Sequence, residues 1–334
     1  MSEFCPALET MNLELTTNCP LHCPQCYCAL TGGKNIDPEK AKFWIREGAR
    51  YGVKNVMLSG GETLCYPHLT ELLRAARDCG VRPNVALSGV GFTQKVYDEL
   101  MEAGDPAIYI SLNGSTEEIN AMTRDGYGPA LRALELLRRN GYRETTLNWV
   151  MHASNADDFP NVMALAERYE VFRVVIIGLK PDSHKSLSTL PSREQMERTA
   201  DFARAWRGRT RIFVEACYSP MLALVSETKL FGNLNVGKHK GCPAGRTTFS
   251  VNVDGLLSPC RHLEYFEAFD SLEEYFERSA VQRKLRTLEE QVQAPCSGCR
   301  FEKNCRHCLA INAKLKGELF LGNEFCPIRQ PCGA

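Results

Sequence analysis

The sequence predicts an α/β protein on parallel strands, followed by a smaller cysteine-rich segment. Two observations carry this. Six short apolar runs alternate with six amphipathic ones over the first two-thirds of the chain, and the alternation stops after Arg211-Ile212-Phe213-Val214-Glu215, beyond which cysteines cluster. The spacing predicts strands over 11–16, 54–58, 83–87, 107–112, 145–150 and 171–177. It predicts helices over 37–51, 67–79, 93–103, 127–140, 157–169 and 192–207. Asp37-Pro38 and Ser192 are helix starts, because a short polar side chain caps the first free N–H groups and proline suits the first turn. Gly52, Gly80, Gly104 and Gly141 stand where helices should close. Strict strand–helix alternation implies parallel strands joined by right-handed crossovers. Six such units make an open sheet or a partial α/β barrel, and the pattern alone leaves both open.

A chain of 334 residues buries a large core. Its 40 basic and 40 acidic residues cancel, so overall charge gives no attraction to nucleic acid or anionic membranes. No apolar stretch approaches the roughly 20 residues of a membrane helix. The start, Met1-Ser2-Glu3-Phe4, lacks a signal peptide pattern. Sixteen cysteines in a chain of this length point to a reducing, cytoplasmic setting rather than a disulfide scaffold. Cys79, Cys5 and Cys65 are expected as buried structural thiols, free Cys being often buried. The rest cluster beside Pro and Gly and ask for another explanation.

Cys19, Cys23 and Cys26 have the spacing CX3CX2C, directly after the strand-like run Met11-Asn12-Leu13-Glu14-Leu15-Thr16. Pro20 and Pro24 keep the segment from being a regular helix. Three thiolates on one loop would hold three irons of a [4Fe-4S] cluster and leave one iron open. An open iron can chelate a ligand, whereas a closed cluster mainly passes electrons. A zinc site would ask for four ligands, as two separated pairs or a compact set.

This spacing resembles the radical S-adenosylmethionine (radical SAM) superfamily, and the resemblance continues in order. Ser59-Gly60-Gly61-Glu62 looks like the family's GGE motif, which receives the methionine amino group. Glycines let backbone come close to a ligand, and a carboxylate complements an ammonium. Leu87-Ser88-Gly89 sits where many members carry Thr-Asn-Gly. Ser111-Leu112-Asn113-Gly114 resembles a Ser-Leu-Asp-Gly segment, with Asn for Asp. Arg124 stands where relatives carry an Arg-Gly pair, here broken by Asp125. Leu147-Asn148-Trp149-Val150 and Asn155 resemble the fifth strand and its loop. The resemblance implies the partial (βα)6 TIM-like barrel, with the cluster loop after the first strand. It implies that Gly60, Gly61 and Glu62 hold the amino group of S-adenosylmethionine, and that Ser88, Ser111, Asn113, Arg124 and Asn148 hold ribose or carboxylate. Ordinary strand-end caps and turns are the bland reading of those polar residues.

The second cysteine array begins with Cys242, Gly255 and Cys260, fitting CX12GX4C. Thr247–Val253 is β-prone and Asp254-Gly255 is a turn signal, so a β-hairpin is expected with Cys242 before its first strand and Cys260 beyond its second. Cys296, Cys299, Cys305 and Cys308 form CX2CX5CX2C, and Cys326 follows. The array resembles the SPASM extension of radical SAM enzymes, with one spacer a residue short at Cys305-Arg306-His307-Cys308. The implied domains are a barrel at 1–216, a bridging region at 217–241 and an auxiliary-cluster domain at 242–334. The resemblance implies two auxiliary [4Fe-4S] clusters and so three in all. Cys296, Cys299, Cys305 and Cys326 would bind the outer one, and Cys242, Cys260 and Cys308 the inner one. The inner cluster's fourth ligand varies among members. Cys217 is the nearby upstream candidate, though not at the six-residue offset seen in some. Three roles are open for it: cluster ligand, hydrogen-atom donor near the substrate, or buried bystander. His262 is expected as a surface histidine or as a second-layer partner of the inner cluster. Tyr218, Tyr265 and Phe266 line either the core or a substrate groove. The stretch 271–290 is expected to be one amphipathic helix with its charges in solvent.

The chemistry implied by the resemblance is reductive cleavage of S-adenosylmethionine to methionine and a 5′-deoxyadenosyl radical, which removes a hydrogen atom from an unactivated carbon. The cofactor carries that step, and the protein orients and excludes water. The implied partners are an electron donor such as flavodoxin or ferredoxin and a peptide or protein substrate. Maturation of a ribosomally made peptide is the leading expectation. The first strand begins at residue 11, so leader recognition is expected from a separate leader-binding protein or from the core itself. A tetrapyrrole-modifying radical enzyme is the second expectation. A cysteine-rich zinc module is the third, and the long βα array and GGE element speak against it.

Overall fold

A computed structural model describes residues 7–28, 32–181, 184–218, 221, 224, 241–299, 302, 305, 308–319, 322–323 and 326. Cys5, Cys332 and most of the 217–241 bridging region lie outside the described residues. Along the chain run β1 (Thr10–Glu14), α1 (Pro38–Arg50), β2 (Asn55–Ser59), α2 (Leu69–Asp78), β3 (Arg82–Leu87), α3 (Gln94–Gly104), β4 (Ala107–Ser111), α4 (Glu117–Ala121) and α5 (Tyr127–Arg139). They continue with β5 (Thr146–Met151), α6 (Phe159–Arg168), β6 (Arg173–Gly178), α7 (Arg193–Ala205), β7 (Arg211–Val214), β8 (Thr248–Val251), β9 (Leu257–Ser258), α8 (Leu272–Arg278), α9 (Ala280–Arg286) and α10 (Leu309–Lys316). The six expected strand–helix units are all present. The additions are the short α4, whose cap Thr116 accepts from Ile119 N, and β7.

The starts agree with the expected chemistry. Asp37 accepts from Lys40 N and Pro38 fills the first turn of α1. Ser192 and Gln195 form a reciprocal capping box on α7. One stop differs. Gly104 is the last residue inside α3, and Asp105 adopts the left-handed turn at φ 46°. A Cβ on Gly104 would lie 2.9 Å from the Leu73 carbonyl oxygen, so this glycine lets α3 lie close on α2.

Contacts group the chain into two compact units, one of Met1–Ser111, Arg124–Thr146 and Ala244–Thr287, the other of Leu112–Thr123, Leu147–Pro243 and Leu288–Ala334. Residues 242–334, expected as one auxiliary segment, contribute to both. In the first unit the strand order is β4-β3-β2-β1-β8-β9. β1 to β4 are parallel, β8 is parallel to β1 in the register Leu13↔Val251, and β9 turns back antiparallel on β8. The expected hairpin is therefore present, and its first strand also extends the sheet. Met11, Leu13, Val56, Leu58, Val85, Leu87, Ile108 and Ile110 are fully buried on one face with Trp44, Leu72 and Leu73 of α1 and α2. Strand alternation turns Glu14, Ser59, Ser88 and Ser111 to the other face, at the C-terminal ends of the strands.

In the second unit β7, β6 and β5 lie side by side, with β6 and β7 parallel. Trp149, Phe159, Phe202 and Trp206 form a chain of ring contacts at 4.7, 5.7 and 5.6 Å. The 271–290 stretch is not one helix. Ser279 ends α8 and its hydroxyl caps α9 at Gln282 N, 3.2 Å away, because a serine satisfies a free N–H better than it continues a turn. Its charged residues Glu273, Glu277, Arg283 and Lys284 are exposed, as expected.

Phe249 is fully buried in β8. Phe249→Ala is expected to lower stability by about 3–5 kcal/mol, measured by urea denaturation, with the loss seen in fluorescence of Trp44 in the same unit.

Candidate active site and cluster-binding residues

The cysteine loop is zipped at its stems. Ile36 N donates to Leu15 O at 2.9 Å, Thr17 N to Lys34 O at 2.9 Å, and Gly33 N to the Asn18 side chain at 3.0 Å. Between the stems Cys26 N bonds Cys23 O at 3.1 Å, a tight turn that links two of the three cysteines. His22 N donates to the Asp125 carboxylate at 2.8 Å. The residue that breaks the family's Arg-Gly pair thus anchors the middle of the loop.

The end of β2 carries the loop. Gly61 N donates to Thr16 O at 2.7 Å and Glu62 N to Asn18 O at 2.8 Å. A Cβ on Gly60 would sit 2.5 Å from Thr16 O, and one on Gly61 2.3 Å from Asn18 O. Only glycine allows this approach, and Gly60 also has φ 144°. Glu62 is 2% exposed and accepts from Ser88 N at 2.8 Å and Leu64 N at 3.3 Å. Burial pushes its carboxyl up, against those hydrogen bonds. Glu62 and Ser88 therefore hold the ends of β2 and β3 together.

The thiols differ in environment. Burial raises Cys19. Cys26 is exposed and lowered to about 6, first by a hydrogen bond from the Cys28 thiol and also by the Arg124 charge. The Cys28 Sγ, absent from the sequence reading, also lies 3.1 Å from Gly60 O. Beside the loop the Arg261 guanidinium lies 4.5 Å from the Tyr27 ring centre and donates to the Ser59 hydroxyl at 3.2 Å. Burial raises the Glu14 carboxyl, and Arg261 partly offsets it. His262 is half-buried rather than on the surface, with its ring 4.6 Å from that of Tyr27 and its N–H 3.4 Å from Cys260 Sγ. Tyr27 packs against it by an edge, so the neighbour of a cysteine supplies a wall for the histidine. Cys65, expected buried, is exposed, because the turn Thr63–Cys65 points Thr63 inward instead. Cys79 is half-buried.

In the second unit Asn113 is 1% exposed. Its amide donates to Thr123 Oγ1 at 3.0 Å and accepts from Val150 N at 3.0 Å. Its carbonyl accepts from Trp149 Nε1 and Asn155 Nδ2. Asn148 presents a half-buried side chain, and its carbonyl accepts from Leu112 N at 3.0 Å.

The same unit contains a cavity lined by Lys180, Cys217, Tyr218, Cys308, Met196 and Ile311. Tyr218 thus faces a cavity, while Tyr265 and Phe266 are half-buried. The Cys217 and Cys308 thiols share a hydrogen bond. That bond from Cys217, with help from Lys180, lowers Cys308 to about 7 against burial. Cys217 is pushed well up, first by the same bond and then by burial. Cys308 is 8% exposed and Cys242 4%. Further along, Cys299 N bonds Cys296 O at 3.0 Å, and Asn323 N donates to Cys296 Sγ at 3.1 Å. Cys326 N bonds Asn323 O at 3.2 Å, and Cys305 is half-buried. Cys260 belongs to the first unit and Cys242, Cys308 and Cys217 to the second.

Lys180, Glu215, Arg261 and Cys28 escaped the sequence reading. Cys28 lies two residues past the CX3CX2C motif and Arg261 next to a cysteine, so adjacency was the available signal. Lys180 and Glu215 had only their positions just past strand ends.

Comparison with known proteins gives the class. Residues 13–166 match the family model described as the Radical SAM superfamily. A "PqqA peptide cyclase" of Ruegeria pomeroyi is 31% identical over 78% of this chain and 69% of its own length. The chain belongs to the radical SAM superfamily and is a radical SAM enzyme. An "AdoMet-dependent heme synthase" of Methanosarcina barkeri is 26% identical over 95% of both chains. Streptococcus suis SuiB, solved bound to the precursor peptide SuiA, superimposes with a TM-score of 0.76 at 15% identity, covering 96% of this chain and 76% of that one. The chain thus has the mixed α/β fold, with a parallel sheet, of these TIM-like-barrel enzymes.

Membership carries a [4Fe-4S] cluster and S-adenosylmethionine. The donors fit the cluster: three thiols on one loop, none in a disulfide, one of them lowered toward thiolate. Among the described residues no three His, Cys, Asp or Glu side chains converge to hold a single metal ion, and no helix is long and apolar enough to cross a membrane.

Gly61→Ala is expected to push the cysteine loop off the end of β2. After anaerobic reconstitution the variant should hold roughly four fewer irons than the parent, with an unchanged far-ultraviolet circular dichroism spectrum.

Proposed function

We propose that this protein is a cytoplasmic maturase of a ribosomally made peptide. The carrying observation is the cysteine loop fixed on Gly60-Gly61, together with kinship to a protein named a peptide cyclase. Cys19, Cys23 and Cys26 hold the cluster that binds S-adenosylmethionine, and Gly60, Gly61 and Glu62 receive its amino group. When bound, that pair supplies a 5′-deoxyadenosyl radical, which removes a hydrogen atom from the substrate. The chain's own contribution is placement. Glu62 is tied to Ser88, and Ser88 and Ser111 share the strand face toward which ribose or carboxylate is held. Arg124 places a positive charge near Cys26, where an anionic cluster is held. Asn113 and Asn148 set the strand-end segment of the second unit.

The segment 242–334 is a SPASM-type auxiliary region following a barrel at 1–216 and a bridge at 217–241. Cys296, Cys299, Cys305 and Cys326 hold the outer auxiliary cluster. The N–H donated to Cys296 Sγ supports this, since such bonds stabilise a thiolate. Cys242, Cys260 and Cys308 hold the inner one, and Cys217 is its fourth ligand. The shared hydrogen bond of Cys217 and Cys308 at one cavity favours ligand over hydrogen donor or bystander. A flavodoxin or ferredoxin supplies electrons. A second reading, modification of a tetrapyrrole, is favoured by the heme synthase relative, which matches 95% of both chains.

Reconstituted anaerobically with strong reductant, the protein is expected to release 5′-deoxyadenosine from S-adenosylmethionine, and the Cys19→Ala/Cys23→Ala/Cys26→Ala variant to release none. Coexpression with short peptides encoded beside it, followed by mass spectrometry, should show a modified peptide. Turnover of an iron porphyrin with unmodified peptides would select the tetrapyrrole reading instead. Separately, Cys217→Ala should lower bound iron while leaving the cluster on Cys19, Cys23 and Cys26 able to cleave S-adenosylmethionine. Full iron in that variant would return Cys217 to the bystander role.

A further inference from the structure

The turn that follows β9 brings two side chains to the cysteine loop. Leu263 N donates to Cys260 O at 2.9 Å, which closes a four-residue turn with Arg261 and His262 at its tip. The turn is fixed from inside. The Ser258 hydroxyl lies 3.0 Å from Cys260 O and 2.8 Å from Leu263 O, and Ser258 and Leu263 are both fully buried. Both tip side chains meet Tyr27. The guanidinium covers the ring at 4.5 Å, and the imidazole packs edge-on to it at 4.6 Å. Arg261 Nε also donates to His262 Nε2 at 3.4 Å, so the two holders are tied to each other.

Arg261 has one more contact. Its Nη1 donates at 3.2 Å to the hydroxyl of Ser59, a buried residue that ends β2 and stands directly before Gly60-Gly61-Glu62. One side chain therefore touches the residue between Cys26 and Cys28 and the residue at the head of the glycine segment. The entry of the cysteine loop is fixed by Gly61 N on Thr16 O and Glu62 N on Asn18 O. At its exit, among the described residues, no backbone bond ties Tyr27 or Cys28 to β2. Tyr27 is 39% exposed, so burial alone does little to place its ring. Its hydroxyl bonds the Cys28 thiol, a contact that stays within the loop. Arginine suits the place because its planar face stacks on a ring while its edge keeps N–H donors, whereas lysine offers a point charge. Glu14, on the same strand face, partly balances that charge.

We propose that Arg261 is a positioning residue for the radical-generating site: stacked on Tyr27 and bonded to Ser59, it fixes the exit of the cysteine loop against the end of β2. The proposal rests on the reading that Cys19, Cys23 and Cys26 hold the cluster and that Gly60, Gly61 and Glu62 receive the amino group of S-adenosylmethionine. A ligand held at two points binds tightly only where their spacing is set before it arrives, since any ordering left over is subtracted from affinity. Gly61 N and Glu62 N set that spacing on the entry side, and Arg261 sets it on the exit side. The shape of the guanidinium carries the effect, and its charge alone does not.

The test is S-adenosylmethionine binding to anaerobically reconstituted protein. It is read by equilibrium dialysis and by the change in electron paramagnetic resonance of the reduced protein, with iron content and far-ultraviolet circular dichroism recorded on each sample. Arg261→Lys keeps a positive charge and loses the planar face. It should hold the parent's iron and bind S-adenosylmethionine roughly tenfold more weakly, the scale of one partly buried cation–π contact. Tyr27→Leu should weaken binding to a like extent, and the double variant no further than either single one, since both remove the same contact. Tyr27→Phe, which loses only the hydroxyl, should bind as the parent does. Parent-like binding in Arg261→Lys, additive losses in the double variant, or equal losses in Tyr27→Phe and Tyr27→Leu overturn the proposal. Should Arg261→Lys not assemble with full iron, Tyr27→Leu against Tyr27→Phe decides it. Loss of iron in both Arg261→Lys and Tyr27→Leu would make the contact one of folding and overturn the positioning role. A parent that binds no S-adenosylmethionine, or a Glu62→Gln variant that binds it as the parent does, would instead overturn the reading on which the proposal stands, so the two failures are told apart.

Discussion

The contact between the Gly60-Gly61 backbone and the loop at Thr16–Cys19 governs the first half of the molecule. Parallel strands end at one edge, and the segment leaving each strand must clear that edge without colliding with its neighbour. Here the cysteine loop leaves β1 by running across the end of β2. The approach is so close that neither glycine has room for a methyl group. Two backbone bonds, Gly61 N to Thr16 O and Glu62 N to Asn18 O, then fix the loop's height above the sheet. The consequence is positional. The three thiols and the Glu62 carboxylate are set by the same few backbone atoms, so a cluster and the amino acid end of a bound cofactor would share one rigid frame. Buried Glu62 extends the frame to β3 through Ser88 N.

The same logic explains the departure from family pattern at Asp125. A glycine there would leave His22 N without a partner in the middle of the loop. The aspartate accepts from it at 2.8 Å, while Gly126 moves the flexible position one residue on and begins α5 at φ 84°. The loop is thus held at its stems by Lys34 and Ile36, at its middle by Asp125, and at its exit by Cys28 against Gly60 O. Long chemically active loops are usually the least ordered parts of α/β proteins, and this one has been tied down from three sides.

Much of the fold was legible because alternation of apolar runs reports strands and helices directly, and caps such as Asp37 and Ser192 are local. The features that were not legible depend on residues distant in sequence. The break at Ser279 shows the limit of periodicity, since the amphipathic pattern runs through while the serine caps a new helix. Gly104 looked like a stop and is instead a packing site, because its requirement comes from Leu73. In the site, the cysteine spacing and Gly60-Gly61-Glu62 were readable as motifs. Asn113 was readable as a residue of interest, but not the network that uses both ends of its amide. Arg261 stacked on Tyr27 joins segments more than two hundred residues apart, and its place beside Cys260 marks the arginine but not its partner.

The pairing of Lys180 with Glu215 belongs to that last kind, and its logic is electrostatic. Cys217 and Cys308 meet in a buried cavity, where two thiolates would repel each other strongly in the absence of iron. Protonation of one relieves this: Cys217 is pushed up and keeps its proton while Cys308 falls to about 7. Lys180 lowers the cost of deprotonating Cys308, while Glu215 raises that of Cys217, and metal ligands must lose their protons. A lone buried lysine would itself tend to become neutral. Cys217, Glu215 and Cys308 together offset that, and the β6–β7 register brings Glu215 beside Lys180. The ion pair and the thiol pair are therefore coupled electrostatically, with Lys180 favouring the Cys308 thiolate and Glu215 the protonated Cys217.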